Sequence, residues 1–269
     1  MSSSRKIGTQ RAFDAAAADF TALGHHLWEP IGAATVAAAG LRGGERVLDA
    51  CCGTGASAIP AARLVGDDGV VDAIDLSAPM IGELRGLAAD LPRLRAHQVD
   101  AMTWDTDGYD VVQSALGIFF FPDMTAGTER LISRARPGGR VVFTIWRDGA
   151  MVTAGRYVGR AVAAVTDSPP QPDREPGLID RINRPDTYAA WLSGRGLSDV
   201  DVMVNELRLT MTPELAWLVI IGSGFRGALG DLGPDVVDAV REHYLESLRA
   251  DGVTEIDATT LIGTGTVPR

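Results

Sequence analysis

The chain has 269 residues, 46 % of them hydrophobic, and a net charge of −10 because 35 acidic residues outnumber 25 basic ones. This length predicts one large α/β domain, or one with a small addition, and the acidic balance disfavours nucleic acid as a partner, since polyphosphate binds to basic surfaces. The polar segment 1–10 predicts no signal peptide and no apolar run is long enough for a transmembrane helix, so we expect a cytoplasmic protein without a membrane partner.

Strands and helices alternate through the first half of the chain. A loose tail at 1–10 and two helices, 13–27 and 31–39, separated at Trp28-Glu29-Pro30, are predicted to come first. The predicted strands then lie at 46–51, 70–75, 94–99, 109–114 and 140–146, and the predicted helices between them lie at 56–65, 78–90 and 124–135. Ser77 and Asp123 are the expected N-caps of the last two helices. This alternation predicts a doubly wound parallel sheet with right-handed crossovers.

The later chain is less regular. Five prolines make 167–185 a predicted loop or extended cover, between a helix at 151–165 and a helix at 187–192. The remaining predicted elements are a sixth strand at 200–209, a helix at 213–221 capped by Thr212, a helix at 234–250 and a final strand at 256–267.

The segment 47–57 has the pattern of a buried strand, a glycine-containing turn and a helix that begins at a ligand. Gly53 and Gly55 allow the backbone to approach a nucleotide-like molecule closely. The neighbouring Cys51 and Cys52 are interpreted as small apolar residues, because adjacent cysteines rarely bridge and make a poor metal site without histidine; no metal is expected.

Acidic residues at three successive strand ends distinguish two cofactors. The G-x-G-x-x-A pattern at 53–58 also permits a dinucleotide, and Asp75 suits the ribose of either cofactor. However, Asp49, Asp75 and Asp100 would together repel a pyrophosphate, whereas they suit a ligand that carries a positive sulfonium and an amino group. The residues therefore favour S-adenosylmethionine (SAM) over NAD.

With these motifs the chain resembles the class I SAM-dependent methyltransferases, most closely the small-molecule branch that includes the ubiquinone/menaquinone-biosynthesis enzymes. The first motif is at 47–55, the ribose motif is Asp75-Leu76-Ser77 with Met80, the adenine motif is Asp100-Ala101, and the turn before strand five is at 136–140. The resemblance covers most of 13–150 and thins afterwards. Cys51 departs from it, because the family usually has glycine there.

The resemblance implies a Rossmann-like, seven-stranded, mostly parallel sheet whose last strand, 256–267, is antiparallel. It implies a helical cover at 1–40 and a methyltransferase domain at 41–269, with insertions at about 150–185 and 212–252 that are available for a lid or for a homodimer contact. SAM is the implied cofactor and S-adenosylhomocysteine (SAH) the product. The implied cofactor-binding residues are Asp49, Cys51, Gly53, Gly55, Asp75, Leu76, Met80, Asp100, Ala101 and Ser114.

The predicted function is methyl transfer to O, N or C of a moderately apolar small molecule in natural-product metabolism. Three alternatives stay open: an enzyme of this fold that has lost methyl transfer and catalyses another reaction, a noncatalytic SAM-binding subunit, and an NAD-dependent reductase.

The acceptor is expected above the carboxyl edge of the sheet. Three consecutive phenylalanines follow strand four, and because neighbours cannot all face the core, at least one is expected to line an apolar pocket. The predicted acceptor-binding residues are Trp28, Phe119, Phe120, Trp146, Arg156 and Arg160. His25 or His26 is the predicted base and Tyr157 a further catalytic residue. Packing, solvent exposure or structural ion pairs are the alternative roles for these side chains.

Overall fold

The computed structural model describes residues 3–168, 176–230 and 232–269, with side chains from residue 11 onward. Its strands in chain order are β1 (Arg46–Ala50), β2 (Val70–Asp75), β3 (Leu94–Gln98), β4 (Tyr109–Ala115), β5 (Ala135–Trp146), β6 (Ser198–Asn205), β7 (Arg208–Thr210), β8 (Glu255–Asp257) and β9 (Thr260–Thr266). Seven of them form one sheet in the order β3-β2-β1-β4-β5-β9-β6, and β7 pairs with β8. Strands β1 to β5 are parallel, and β9 runs antiparallel between β5 and β6. The predicted sheet, including its reversed last strand, is confirmed.

The helices of the described residues lie on both faces and above the carboxyl edge of this sheet. They are α1 (Ser3–Leu23), α2 (Glu29–Ala39), α3 (Ala58–Val65), α4 (Ala78–Leu87), α5 (Met124–Ile132), α6 (Val152–Val165), α7 (Leu178–Ile182), α8 (Pro185–Ser193), α9 (Pro213–Ile221) and α10 (Pro234–Ala250). The three predicted caps are confirmed: Ser77, Asp123 and Thr212 accept hydrogen bonds from the backbone N–H three residues on. Among the described residues no helix is long and apolar enough to cross a membrane.

The beginning of the chain is more continuous than predicted. Residues 3–10 belong to α1 and are not a loose tail, and a π-helical segment, Gly24–Trp28, joins α1 to α2 without a break. The predicted interruption is wrong: Trp28 and Glu29 keep helical backbone angles, and the N–H of Glu29 donates to the carbonyl of Gly24 five residues back. This wider π-type turn lies directly before Pro30, the position at which a proline in a continuous helix removes a backbone donor.

Two predicted long strands are each divided in the structure. The sixth predicted strand ends at Asn205, and Arg208–Thr210 leaves the main sheet to pair with Glu255–Asp257, the first part of the predicted final strand. The chain returns to the main sheet after Asp257, whose carboxylate accepts a hydrogen bond from the N–H of Thr259. The predicted loop at 167–185 contains α7, and its part at 169–175 lies outside the described residues.

One apolar cluster unites the elements above the carboxyl edge of the sheet. It joins α1 and the π-helical segment to α6, α9, α10 and β8 through the buried side chains Leu23, Leu27, Ile31, Val158, Trp217, Ile220, Tyr244, Leu248 and Ile256. Burial of such side chains stabilises their packing by roughly 1.5–3 kcal/mol each. The helical cover and the two predicted insertions are therefore packed together over the sheet edge, although the predicted division into domains stays a prediction.

Candidate functional site

A cavity of about 750 Å³ opens above the carboxyl ends of β1 to β5. Its volume lies in the upper part of the range of roughly 300–1,000 Å³ that is typical of small-molecule pockets. The sheet order changes direction between β1 and β4, and in open α/β sheets ligands bind at such a switch point. Residues from the N-terminal helices, the strand ends and the segment after β5 line this one cavity.

One half of the cavity wall, called the acidic half below, consists of residues at the carboxyl ends of β1 to β3. It contains seven residues of the predicted cofactor set, namely Cys51, Gly53, Asp75, Leu76, Met80, Asp100 and Ala101. The Asp75 carboxylate accepts hydrogen bonds from the N–H of Gly53 at 3.0 Å and of Ser77 at 2.9 Å. Burial raises the pKa of Asp75, and these amide donors partly offset the effect. Asp75 thereby ties the glycine loop to the end of β2, and its carboxylate keeps further lone pairs for a ligand.

Three cavity-lining residues other than glycine have left-handed backbone conformations. Cys51 follows β1 with φ 59°, Leu116 follows β4 with φ 59°, and Met151 follows β5 with φ 62°. Non-glycine residues rarely adopt positive φ, and such strain concentrates at functional sites. The conformation of Cys51 also explains why the family resemblance predicts glycine at this position.

Gly117 provides the space that Cys51 occupies. A Cβ atom at Gly117 would lie 2.5 Å from Cβ of Cys51 and 2.5 Å from Oγ of Ser114, which is too close for any real contact. Because glycine has no side chain, Gly117 leaves the space that the Cys51 side chain needs. Sequence reasoning missed this pairing, because the two residues are distant in the chain.

Three residues of the predicted cofactor set do not line the cavity. Asp49 and Ser114 are fully buried beneath it, and Gly55 lies against α4, where a Cβ would come within 2.3 Å of Cδ1 of Leu84. Asp49 accepts a hydrogen bond from Nε2 of Gln113 at 3.0 Å. Asp49 and Ser114 lie one residue before the ends of β1 and β4, inside the sheet, whereas Cys51, beyond the end of β1, reaches the cavity. They support the loop from below.

Burial raises the pKa of Asp49 to about 6, although hydrogen bonds from Ser57 and Gln113 lower it in part. The folded protein therefore holds this proton at pH values where the unfolded chain releases it, so the free energy of unfolding falls as pH rises from about 4 to 6. We expect Asp49→Asn to increase the free energy of unfolding by about 2 kcal/mol at pH 7.5, with the gain disappearing near pH 4. Urea denaturation at several pH values measures this.

Asp110→Asn is the matched control, because folding lowers the pKa of Asp110 whereas it raises that of Asp49. Burial raises the pKa of Asp110, but the N–H of Arg46 and the guanidinium of Arg136 outweigh it and leave the pKa lowered. This carboxylate stabilises the fold above its unfolded pKa, and the contribution is lost as pH falls. A gain in stability from Asp49→Asn that is the same at pH 4 and pH 7.5 would contradict the assignment.

The other half of the cavity is an aromatic half. The predicted residues Trp28, Phe119, Phe120 and Trp146 line it, together with Phe13, Phe20 and Phe225, which were not predicted. Phe20 stacks on Trp28 with ring centroids 4.5 Å apart, and Phe13 meets Phe120 edge to face at 5.2 Å. Phe13 and Phe20 are seven residues apart on one helix and so share a face, which was a signal available in the sequence.

The predicted catalytic residues and the two arginines predicted to bind the acceptor lie outside the cavity. His25 and His26 are exposed, and His25 contacts Glu29 at 2.7 Å. Tyr157 is buried against α10 and donates to Asp251 at 2.6 Å, a hydrogen bond that raises the pKa of Tyr157. Arg156 and Arg160 are exposed beside the Tyr157 ring. None of the five lines the cavity, which contradicts their predicted roles. For the two histidines the reason is the π-helical turn, which directs Leu27 and Trp28 inward and His25 and His26 outward.

Polar residues after β5 complete the wall and were missed by the sequence analysis. Arg147, Asp148, Asp180 and Asn183 line the cavity beyond Trp146. Nη2 of Arg147 donates to Oδ2 of Asp257 at 2.8 Å, and Asp148 pairs with Arg184 at 3.0 Å. Within the described part of the chain no cluster of His, Cys, Asp and Glu is arranged to hold a metal ion.

Comparison with known proteins agrees with this geometry. Residues 47–139 match the model of a methyltransferase domain. The chain is 31 % identical over 188 residues to aklanonic acid methyltransferase DauC of Streptomyces sp. (strain C5), covering 67 % of this chain and 86 % of that protein. It is 31 % identical over 139 residues to nocamycin O-methyltransferase of Saccharothrix syringae, covering 49 % of each. The YcgJ protein of Bacillus subtilis superimposes with a TM-score of 0.57 over 89 % of this chain and 98 % of that one, at 14 % identity, which shows a common fold.

Proposed function

Because the chain belongs to the class I SAM-dependent methyltransferases and methylates a small molecule, we propose that its acceptor is a flat, largely apolar natural product that is methylated on oxygen. The observation that carries the proposal is the division of one cavity into an acidic half and an aromatic half. Flat apolar molecules pack well against phenylalanine and tryptophan rings. One relative is named as an O-methyltransferase, which supports oxygen as the acceptor atom.

The acidic half fits SAM. We assign Asp75 to the ribose hydroxyls, Asp100 with Ala101 to the adenine, and the loop at Gly53 to the close approach of backbone and cofactor. Gly53 has φ 53°, a backbone conformation that glycine adopts without strain, and a Cβ there would already be in van der Waals contact with the Phe20 ring at 3.4 Å. When bound, SAM supplies a methyl group on a positively charged sulfur.

The chain itself contributes alignment and exclusion of water. Methyl transfer is an in-line displacement, so it depends on holding the acceptor atom at the correct distance and angle. The aromatic half fixes the plane of the acceptor. Helix α1 contacts the glycine loop through Phe20, and it contacts the segment after β2 through the hydrogen bond that Ser77 donates to Asp14. A covered, apolar site strengthens the attraction between the acidic half and a cationic cofactor.

The experiment that tests the proposal uses the full chain. We expect calorimetry to show binding of SAM and SAH and none of NAD, and we expect SAH to accumulate when SAM is incubated with flat hydroxylated or carboxylated aromatic compounds, together with a product that is heavier by one methyl group. Binding of SAM with conversion of the acceptor but no SAH would indicate an enzyme that has lost methyl transfer. Binding of SAM without any acceptor chemistry would indicate a noncatalytic subunit, and binding of NAD a reductase.

Three further properties stay predictions. The cytoplasmic location, the homodimer and the absence of a nucleic-acid partner follow from sequence composition and from the resemblance alone.

A further inference from the structure

Arg147 is the one basic side chain that lines the cavity among the residues described. It follows Trp146, the last residue of β5, and therefore lies at the aromatic half and not among the cofactor motifs. Its side chain is 29 % exposed, so it is partly desolvated while part of it stays accessible. An arginine in this position can bind an anionic group of the acceptor through several N–H donors.

The acidic neighbour of Arg147 does not fully neutralise its positive charge. Oδ2 of Asp257 lies 2.8 Å from Nη2 of Arg147 and 3.3 Å from Nη1 of Arg208, so two guanidinium groups share one carboxylate. Burial raises the pKa of Asp257, but hydrogen bonds from Thr259 and the two arginines outweigh it and lower the pKa, which keeps this carboxylate ionised. Asp257 therefore positions Arg147 without neutralising the pair of arginines.

The two acids nearest in the wall are engaged by other groups. Asp148 accepts from Nε and Nη2 of Arg184 at 3.2 and 3.0 Å. Asp180 accepts from the N–H of Gly177 at 2.7 Å. These interactions direct both carboxylates toward protein groups, which reduces the repulsion that an anionic acceptor would meet.

The described wall contains no side chain suited to take a proton from a neutral hydroxyl. Histidine, lysine and tyrosine are missing from it, and burial raises the pKa of both cysteine thiols, so they keep their protons at neutral pH. Carboxylates are weak bases and are poorly matched to an alcohol or phenol. An acceptor that is already an anion needs no base.

We propose, on the basis of the proposed function, that the acceptor is a carboxylic acid, bound as its carboxylate by Arg147. One carboxylate oxygen is hydrogen-bonded to the guanidinium, and the other uses its lone pair to form the new bond to the methyl carbon. The bond between that carbon and sulfur breaks, and its electron pair stays on sulfur, which becomes a neutral thioether. The carboxylate becomes a methyl ester, and no proton is transferred.

The test is binding of two fluorescent probes in the presence of SAH. Pyrenecarboxylic acid carries the charge that Arg147 is proposed to bind, and pyrenemethanol has the same ring system without it. We expect the wild-type protein to prefer the acid, and Arg147→Gln to weaken binding of the acid by at least ~10-fold while changing that of the alcohol little. Arg147→Lys should retain part of the preference. Arg156→Gln, at an exposed position on α6, is the matched control and should behave as wild type.

The outcomes separate this inference from the proposed function. Calorimetry with SAH shows whether each variant is folded and whether the cofactor half works; failure of the wild-type protein to bind SAH would contradict the proposed function itself. If SAH binds but the wild-type protein does not prefer the acid, including the case in which neither probe binds, the inference is wrong. It is also wrong if Arg147→Gln and Arg156→Gln have equal effects.

Discussion

Asp75→Ala is expected to weaken binding of SAH by at least ~100-fold. The substitution removes the carboxylate that we assign to the two ribose hydroxyls, and charge-assisted hydrogen bonds of this kind contribute about 1.5–3 kcal/mol each. It also removes the acceptor for the N–H groups of Gly53 and Ser77, which lie 3.0 and 2.9 Å from the carboxylate oxygens. The loop is then no longer tied to β2, so the effect exceeds that of the ribose contacts alone.

Calorimetric titration with SAH measures this effect, and thermal unfolding in the absence of ligand separates it from loss of stability. Asp90→Ala, at an exposed position after α4, is the matched control and should leave the affinity unchanged. Asp75→Asn keeps one oxygen acceptor, so its affinity for SAH should lie between those of Asp75→Ala and Asp90→Ala. An unaltered affinity of Asp75→Ala for SAH would remove the ribose assignment.

Gly117→Ala is expected to lower the free energy of unfolding by about 3 kcal/mol or more. Its Cβ would lie 2.5 Å from atoms of both Cys51 and Ser114, and overpacking in a rigid core usually costs about 1–3 kcal/mol, occasionally more. Gly117 is buried and its neighbours are strand-end residues, so relaxation is limited. Because Gly117 itself has φ −103°, the cost is steric and not conformational.

A double-mutant cycle with Cys51→Gly tests the cause. Removing the Cys51 side chain relieves one of the two clashes and places glycine where φ is 59°, so we expect the double variant to recover at least ~1 kcal/mol relative to the sum of the single changes. Gly82→Ala is the matched control, because a Cβ there meets no atom within 4 Å and should be neutral or stabilising. Purely additive effects would show that the two residues do not share this space.

The order of strands and helices and the acidic half of the cavity were predictable from local pattern. Caps such as Ser77 and Asp123 act within one helical turn, and acids at strand ends meet at one sheet edge because parallel strands share their carboxyl side. The predicted positions Asp75 and Asp100 accordingly line the cavity. The resemblance also anticipated the reversed strand, which becomes β9.

The acceptor half depended on packing between distant segments. Chain order placed His25, His26, Arg156 and Tyr157 near the site, but a helix presents only one side to the cavity, and these residues lie on the other. Arg147 lies in the cavity wall because β9 pairs with β5 and Asp257, which is more than a hundred residues further along the chain, binds the guanidinium. Local periodicity determines which elements form, whereas the side chains that share one cavity are selected by contacts between elements far apart in the chain.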